Sequence, residues 1–307
     1  MNWLKIVFNW PIGIIIILAI VMSVYLFFFL YKPTVKHYTY KTTPQGELKI
    51  RIYLPKNHSK GDQRPAILFF FGGGWIGGNI EQFRKQAEYL AKRGMVAALV
   101  GYRIDSKHHT TPDKAVEDGL DAIQWISNHA DTLGINTEQI IASGGSAGGH
   151  IAACLALCNT KESNSGPKVH PSLLILFNPV LDLTNASAEL EFSSRELELI
   201  QTIGPGMATA LSPNQHINQH TPSTLMIFGE KDPLLQQAND FIYTAQKFGT
   251  ETQLLLAPNN GHSFFNTEPW ISSSIRAMDL YLVEKGYLSG EPLITKTMVE
   301  DAPLILQ

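Results

Sequence analysis

Cysteine is almost absent from this chain of 307 residues: Cys154 and Cys158 are the two, four positions apart in one apolar stretch. That spacing makes a disulfide awkward, and a metal centre would need more ligands nearby, so both read as small core residues. Excess charge is missing too. The 24 basic and 27 acidic residues leave a formal net charge of −3 with no long block of one sign, so nothing points to a nucleic-acid partner. Internal repeats, low-complexity tracts and Pro/Ser-rich linkers are also lacking. One domain from about Lys36 to the C-terminus, residues 36–307, is therefore expected.

What the sequence does have begins with an apolar run. Pro11 to Tyr31 carries no charge between Lys5 and Lys32, and about 20 residues suffice to cross a bilayer core. The run ends Leu26-Phe27-Phe28-Phe29-Leu30-Tyr31, without the small residues of a cleavage site. Residues 1–35 are thus expected to form a single-pass transmembrane anchor with its flanks, the lipid bilayer being its partner.

Beyond it, Glu47 to Leu54 alternates apolar and polar, as a half-buried strand does. Short apolar runs then take turns with longer helical patterns. Strands are expected at Ala66–Phe71, Val96–Val100, Gln139–Ser143, Leu173–Phe177, Thr224–Phe228 and Gln253–Ala257. Helices are expected at Gln82–Arg93, Pro112–His129, His150–Cys158, Asp232–Phe248 and Pro269–Lys285. The alternation implies an α/β fold, a mostly parallel sheet with helices on both faces, whose reactive groups gather beyond the carboxyl ends of the strands. Residues 182–219, irregular and polar with an amphipathic piece around Glu189 to Ile203, are a candidate cap.

Gly144-Gly145-Ser146-Ala147-Gly148 follows a strand directly and opens a helix, the context that lifts a Gly-x-Ser-x-Gly match above chance. Such a turn raises the serine clear of its neighbours, while the Ala147 amide and the helix N-terminus supply positive potential where an oxyanion would form. A serine hydroxyl needs a base, and the base needs an orienting acid. Of the ten histidines, His262 lies just beyond the strand Gln253–Ala257, in Asn259-Asn260-Gly261-His262-Ser263. Asp232 follows the strand Thr224–Phe228, with a helix N-cap as its alternative role, and Asp182 and Glu230 compete with it as the acid. His150, at the start of the helix behind Ser146, is expected to pack or bond locally. A glycine turn after an early strand, Phe71-Gly72-Gly73-Gly74-Trp75, would let backbone amides approach a substrate oxygen closely. Phe71 and Trp75 are expected either to border the substrate pocket or to belong to the core.

These residues resemble the α/β-hydrolase esterases related to the hormone-sensitive-lipase group, and more closely their acetyl-esterase, acetylxylan-esterase-like relatives. The resemblance covers most of residues 45 to 290. It rests on Gly72-Gly73-Gly74-Trp75, Tyr102-Arg103, Ala115-Val116-Glu117-Asp118, Gly144 to His150, Asp232 and Gly261-His262-Ser263-Phe264-Phe265. It implies Ser146, Asp232 and His262 as catalytic triad, and the amides of Gly73, Gly74 and Ala147 as oxyanion hole. It also implies release of a short acyl group from a small-molecule or carbohydrate ester, with no metal or cofactor. Arg103 and Asp118 read as structural. Two departures stand out: Phe71 where many members have histidine, and Gly145 where the lipase-like branch often has aspartate. An amidase or peptidase, an acyltransferase, or an inactive hydrolase fold serving as a tethered binding protein are the rival readings. Lys32, Lys36 and Lys41 after the span argue for a cytoplasmic domain. The chemistry suits an exported enzyme, and the extracytoplasmic side is expected because large domains translocate against so small a bias.

Overall fold

Runs of β-branched and large apolar residues build the centre of the molecule. The computed structural model describes residues 13–19, 22, 32–158, 169–190 and 192–307. Within these lie strands β1 (Thr34–Thr43), β2 (Gly46–Leu54), β3 (Arg64–Phe70), β4 (Val96–Val100) and β5 (Ile135–Gly145), then β6 (Leu173–Phe177), β7 (Thr224–Gly229), β8 (Thr252–Ala257) and β9 (Ile305–Leu306). They form one sheet in the order β1-β2-β4-β3-β5-β6-β7-β8-β9. Every pairing among β3 to β8 is parallel, and the antiparallel pairings are confined to the two ends of the sheet.

The period-two geometry of a strand divides the core in two. Ala66, Leu68 and Phe70 of β3 face one way, against helices α2 (Pro112–Asn128), α3 (Ala147–Leu157) and α5 (Leu235–Lys247). Ile67 and Phe69 face the other way, against α1 (Arg84–Lys92) and α6 (Trp270–Glu284). Both faces are buried, which is why the central strands read as unbroken apolar runs. Helix α4 (Ser194–Ala210), kinked at Gly204 before Pro205, lies in the expected cap region, and Ile200 and Ala208 join the first core.

The expected strands and helices are present with ends shifted by a few residues. Two strands were not expected, the two-residue β9 near the C-terminus and β1, which occupies what reads in sequence as a linker. Its residues are mostly exposed because it is an edge strand, so Thr-Val-Lys-His-Tyr-Thr carries little apolar alternation. Arg103 and Asp118 are structural, as expected: the Arg103 guanidinium grips the buried Asp118 carboxylate in a fork at 2.8 and 2.7 Å, and Lys41 from β1 adds a contact at 2.7 Å. Desolvation opposes the charge on Glu117 beside them, yet Lys41 and Lys114 hold its carboxyl down at about 2. Among the described residues no helix is long and apolar enough to cross a membrane. The anchor expected over Pro11 to Tyr31 lies mostly outside the described residues.

Candidate active site

Strand β5 ends in a turn so tight that Ser146 sits at φ 52°, ψ −120°, a conformation that side chains rarely adopt. The turn is held by the Ser146 amide donating to Phe177 O at 2.9 Å and by the His150 amide donating to Ser146 O at 2.9 Å. Only glycine fits next to it at position 148, where an added Cβ would come within 2.1 Å of Phe70 O. That close approach seats the start of α3 directly on β3.

The loop after β8 brings His262 to the serine, its Nε2 lying 2.8 Å from Ser146 Oγ. The turn after β7 brings Asp232, whose Oδ2 lies 2.8 Å from His262 Nδ1. The Asp232 side chain is fully buried. Oδ1 accepts the Leu234 amide at 2.9 Å, so Asp232 also caps the turn into α5, and Oδ2 accepts from Asn178 Nδ2 as well. Asn178, immediately after β6, was not expected in the site. The one signal for it was its position at a strand end.

The competing acids are elsewhere. Asp182 accepts from Thr184, Ser212 and Gln215 inside the cap region, and Glu230 accepts the Asn259 amide at 2.8 Å, bracing the loop that carries His262.

Gly72, Gly73 and Gly74 line a cavity of about 320 Å³ together with Ser146 and His262. Among the described residues, the Gly73 and Gly74 amides donate to no protein acceptor. Ala147 is the first residue of α3, where a helix amide has no intrahelical partner. The loop is steadied without a histidine at position 71. Tyr102 Oη donates to Phe71 O at 2.6 Å, and Gln82, itself bonded to Asn266, accepts the Gly72 amide at 2.7 Å. Phe71 and Trp75 do not line the cavity, which corrects the pocket reading. Phe71 stacks on Tyr102 and Trp75 meets His150 edge-on, both in the core. Leu190, Phe192 and Glu196 from the cap region take that place on the cavity wall.

The BD-FAE family model matches residues 50–243, more than half of the chain. This chain belongs to the BD-FAE family. Ethyl acetate hydrolase of Pseudomonas putida is 27% identical over 240 residues, covering 73% of each chain. Acetylxylan esterase of Xylanibacter ruminicola is 26% identical over 242 residues, covering 75% of this chain and 46% of that one. Among solved structures, Thermogutta terrifontis esterase 2 phosphonylated by sarin aligns with a TM-score of 0.78 at 32% identity, covering 85% of this chain and 98% of that one. The same esterase with propionate bound aligns with a TM-score of 0.74 at 35% identity, covering 85% and 97%. The fold is the α/β-hydrolase fold, and this member of the family is a carboxylesterase-type serine hydrolase of the hormone-sensitive-lipase-like group.

His150 has the local partner expected of it, Cys154 Sγ at 3.5 Å in the same helix, and it also links α3 to the cap region of this family member. Its Nε2 lies 2.7 Å from Leu211 O, just past α4. Burial pushes the imidazole from its ordinary 6.5 down to about 4, against the pull of that carbonyl. Below pH 6.5 the unfolded chain takes up a proton that the folded chain refuses, so stability is lost as pH falls from 6.5 towards 4. The loss is about 3 kcal/mol across that window. Urea unfolding should show it, and His150→Gln, whose amide can still donate to Leu211 O, should flatten the dependence there. An unchanged dependence would assign the proton uptake to another group.

Proposed function

We propose that the protein hydrolyses esters of short carboxylic acids, acetyl esters above all, through an acyl-enzyme on Ser146. The observation that carries this is the continuous line from Asp232 through His262 to Ser146, opening on a cavity where unpartnered glycine amides wait. His262 Nε2 takes the Ser146 proton as Oγ attacks the ester carbonyl, and the amides of Gly73, Gly74 and Ala147 hold the developing oxyanion. The imidazolium then gives its proton to the leaving alcohol. Water, deprotonated by the same nitrogen, attacks the acyl-enzyme and frees the acid. Asp232 accepts a hydrogen bond from Nδ1–H throughout and stays ionised, which fixes the tautomer and stabilises the cation.

A cavity of about 320 Å³ is at the small end for ligand sites, which suits a short acyl group. Propionate in the related esterase, and ethyl acetate in the name of the Pseudomonas relative, support the same size class. Acetylxylan esterase among the relatives supports carbohydrate acetates as candidate substrates. Rates against aryl acetate, butyrate and palmitate and against acetylated xylose test this. Acetate or butyrate should give the highest kcat/KM, and preference for palmitate would sink the short-acyl reading. The charge-free run from Pro11 to Tyr31 supports tethering to a bilayer. The domain is read as extracytoplasmic because large domains translocate against so small a bias as Lys32, Lys36 and Lys41. Protease added to sealed right-side-out vesicles should then digest the domain, whereas a spared domain lies inside.

A further inference from the structure

The substrate cavity is unevenly lined. Val180, Leu190, Phe192, Leu234 and Phe265 make an apolar wall, and a polar edge faces them. On that edge Gln82 and Asn266 already bond to each other at 2.9 Å, and the Gln82 carbonyl holds the Gly72 amide. Glu196 differs. Its Oε2 accepts the Ser193 amide at 2.7 Å, half of the capping box that starts α4. Its Oε1 lies against Gly74, so close that a Cβ there would come within 2.2 Å of it. Among the described residues Glu196 has no cationic partner: the neighbouring Arg195 forks onto Asp105 and also reaches Glu198. Asp232 is buried behind His262, so Glu196 is the one carboxylate on the described cavity wall.

We propose that Glu196 is a specificity-determining residue whose carboxylate excludes esters carrying a negative charge and favours those whose alcohol carries hydroxyl or ammonium donors. This rests on ester hydrolysis in the same cavity. A substrate held against the glycine loop meets Glu196 at the far end of that loop, on the wall of the same cavity. Two like charges roughly 6 Å apart at an effective dielectric near 20 repel strongly enough to lower kcat/KM about 10- to 100-fold. A hydroxyl or ammonium group in the same place finds an acceptor already fixed by its helix cap.

The test compares three matched phenyl acetates whose para substituent is neutral, a carboxylate or a trimethylammonium group. Glu196→Gln keeps an oxygen for the Ser193 amide, and glutamine at this position completes a capping box as glutamate does. In the variant the carboxylate-to-neutral ratio of kcat/KM should rise about tenfold or more, and the ammonium-to-neutral ratio should fall. Taking ratios cancels any common effect of the charge on the oxyanion. Raising ionic strength should move both wild-type ratios in the same directions, a readout that needs no variant. Ratios unmoved by both, with the neutral ester still turned over, would overturn the role of Glu196. Failure of the wild-type protein to turn over any ester would instead overturn the hydrolytic reading beneath it.

Discussion

Ser146→Ala is expected to lower kcat for an aryl acetate about 10⁴- to 10⁶-fold while leaving KM near the wild-type value. The change removes Oγ, the atom 2.8 Å from His262 Nε2 and the one hydroxyl hydrogen-bonded to that nitrogen among the described residues. Alanine has the same Cβ as serine, so the strained turn at φ 52° costs the variant no more than it costs the parent. The glycine amides and the cavity remain, which is why substrate binding should persist and a small residual rate over water should survive. A fluorophosphonate probe followed by intact-mass measurement gives an independent readout. It should add one phosphonyl group to the wild-type protein, as sarin does to Thermogutta terrifontis esterase 2. No addition is expected on the variant. Equal hydrolysis by both proteins, or equal labelling, would mean that another group is the nucleophile.

How far the sequence could be read depended on how local each feature is. The turn at Ser146 was legible because a strand, a Gly-x-Ser-x-Gly and a helix follow one another within a few positions, and glycine at 148 is demanded by the oxygen of Phe70. His262 and Asp232 were legible because strand ends in a parallel sheet converge on one edge, whatever lies between them in sequence. Asn178 was not. Its bond to Asp232 exists because β6 and β7 are neighbours, an adjacency no local pattern encodes. The direction of Phe71 and Trp75 was open for the same reason: Tyr102 and His150, far along the chain, draw both rings into the core. Strand β1 was missed because an edge strand facing solvent needs little apolar alternation, and its ties to the body, the pairing with β2, Tyr40 on Gly101 O and Lys41 on Asp118, are all to distant parts of the chain or to backbone. The part of the cap that enters the cavity follows from the fork of Arg195 on Asp105, a contact spanning 90 residues.

Asp232→Asn is expected to lower kcat by about 10⁴ with the fold intact. The carboxylate serves three donors: His262 Nδ1, the Asn178 amide group and the Leu234 backbone amide. An asparagine has one carbonyl oxygen for all three, so its NH₂ must face some of them. With the oxygen kept by Leu234, the NH₂ meets His262 and turns the imidazole into the tautomer protonated on Nε2. That nitrogen then donates to Ser146 Oγ and can no longer take its proton. Asp182→Asn and Glu230→Gln are the controls, because the first carboxylate serves Thr184, Ser212 and Gln215 and the second serves Asn259. Both should keep kcat close to wild type, Glu230→Gln being the more sensitive since it braces the His262 loop. A loss in either control as deep as in Asp232→Asn, at equal folded stability, would move the role of orienting acid to that residue. Retention of activity by Asp232→Asn alone would leave His262 oriented by Ser146 and its loop, and the buried carboxylate would then do no more than brace the turn that leads into α5.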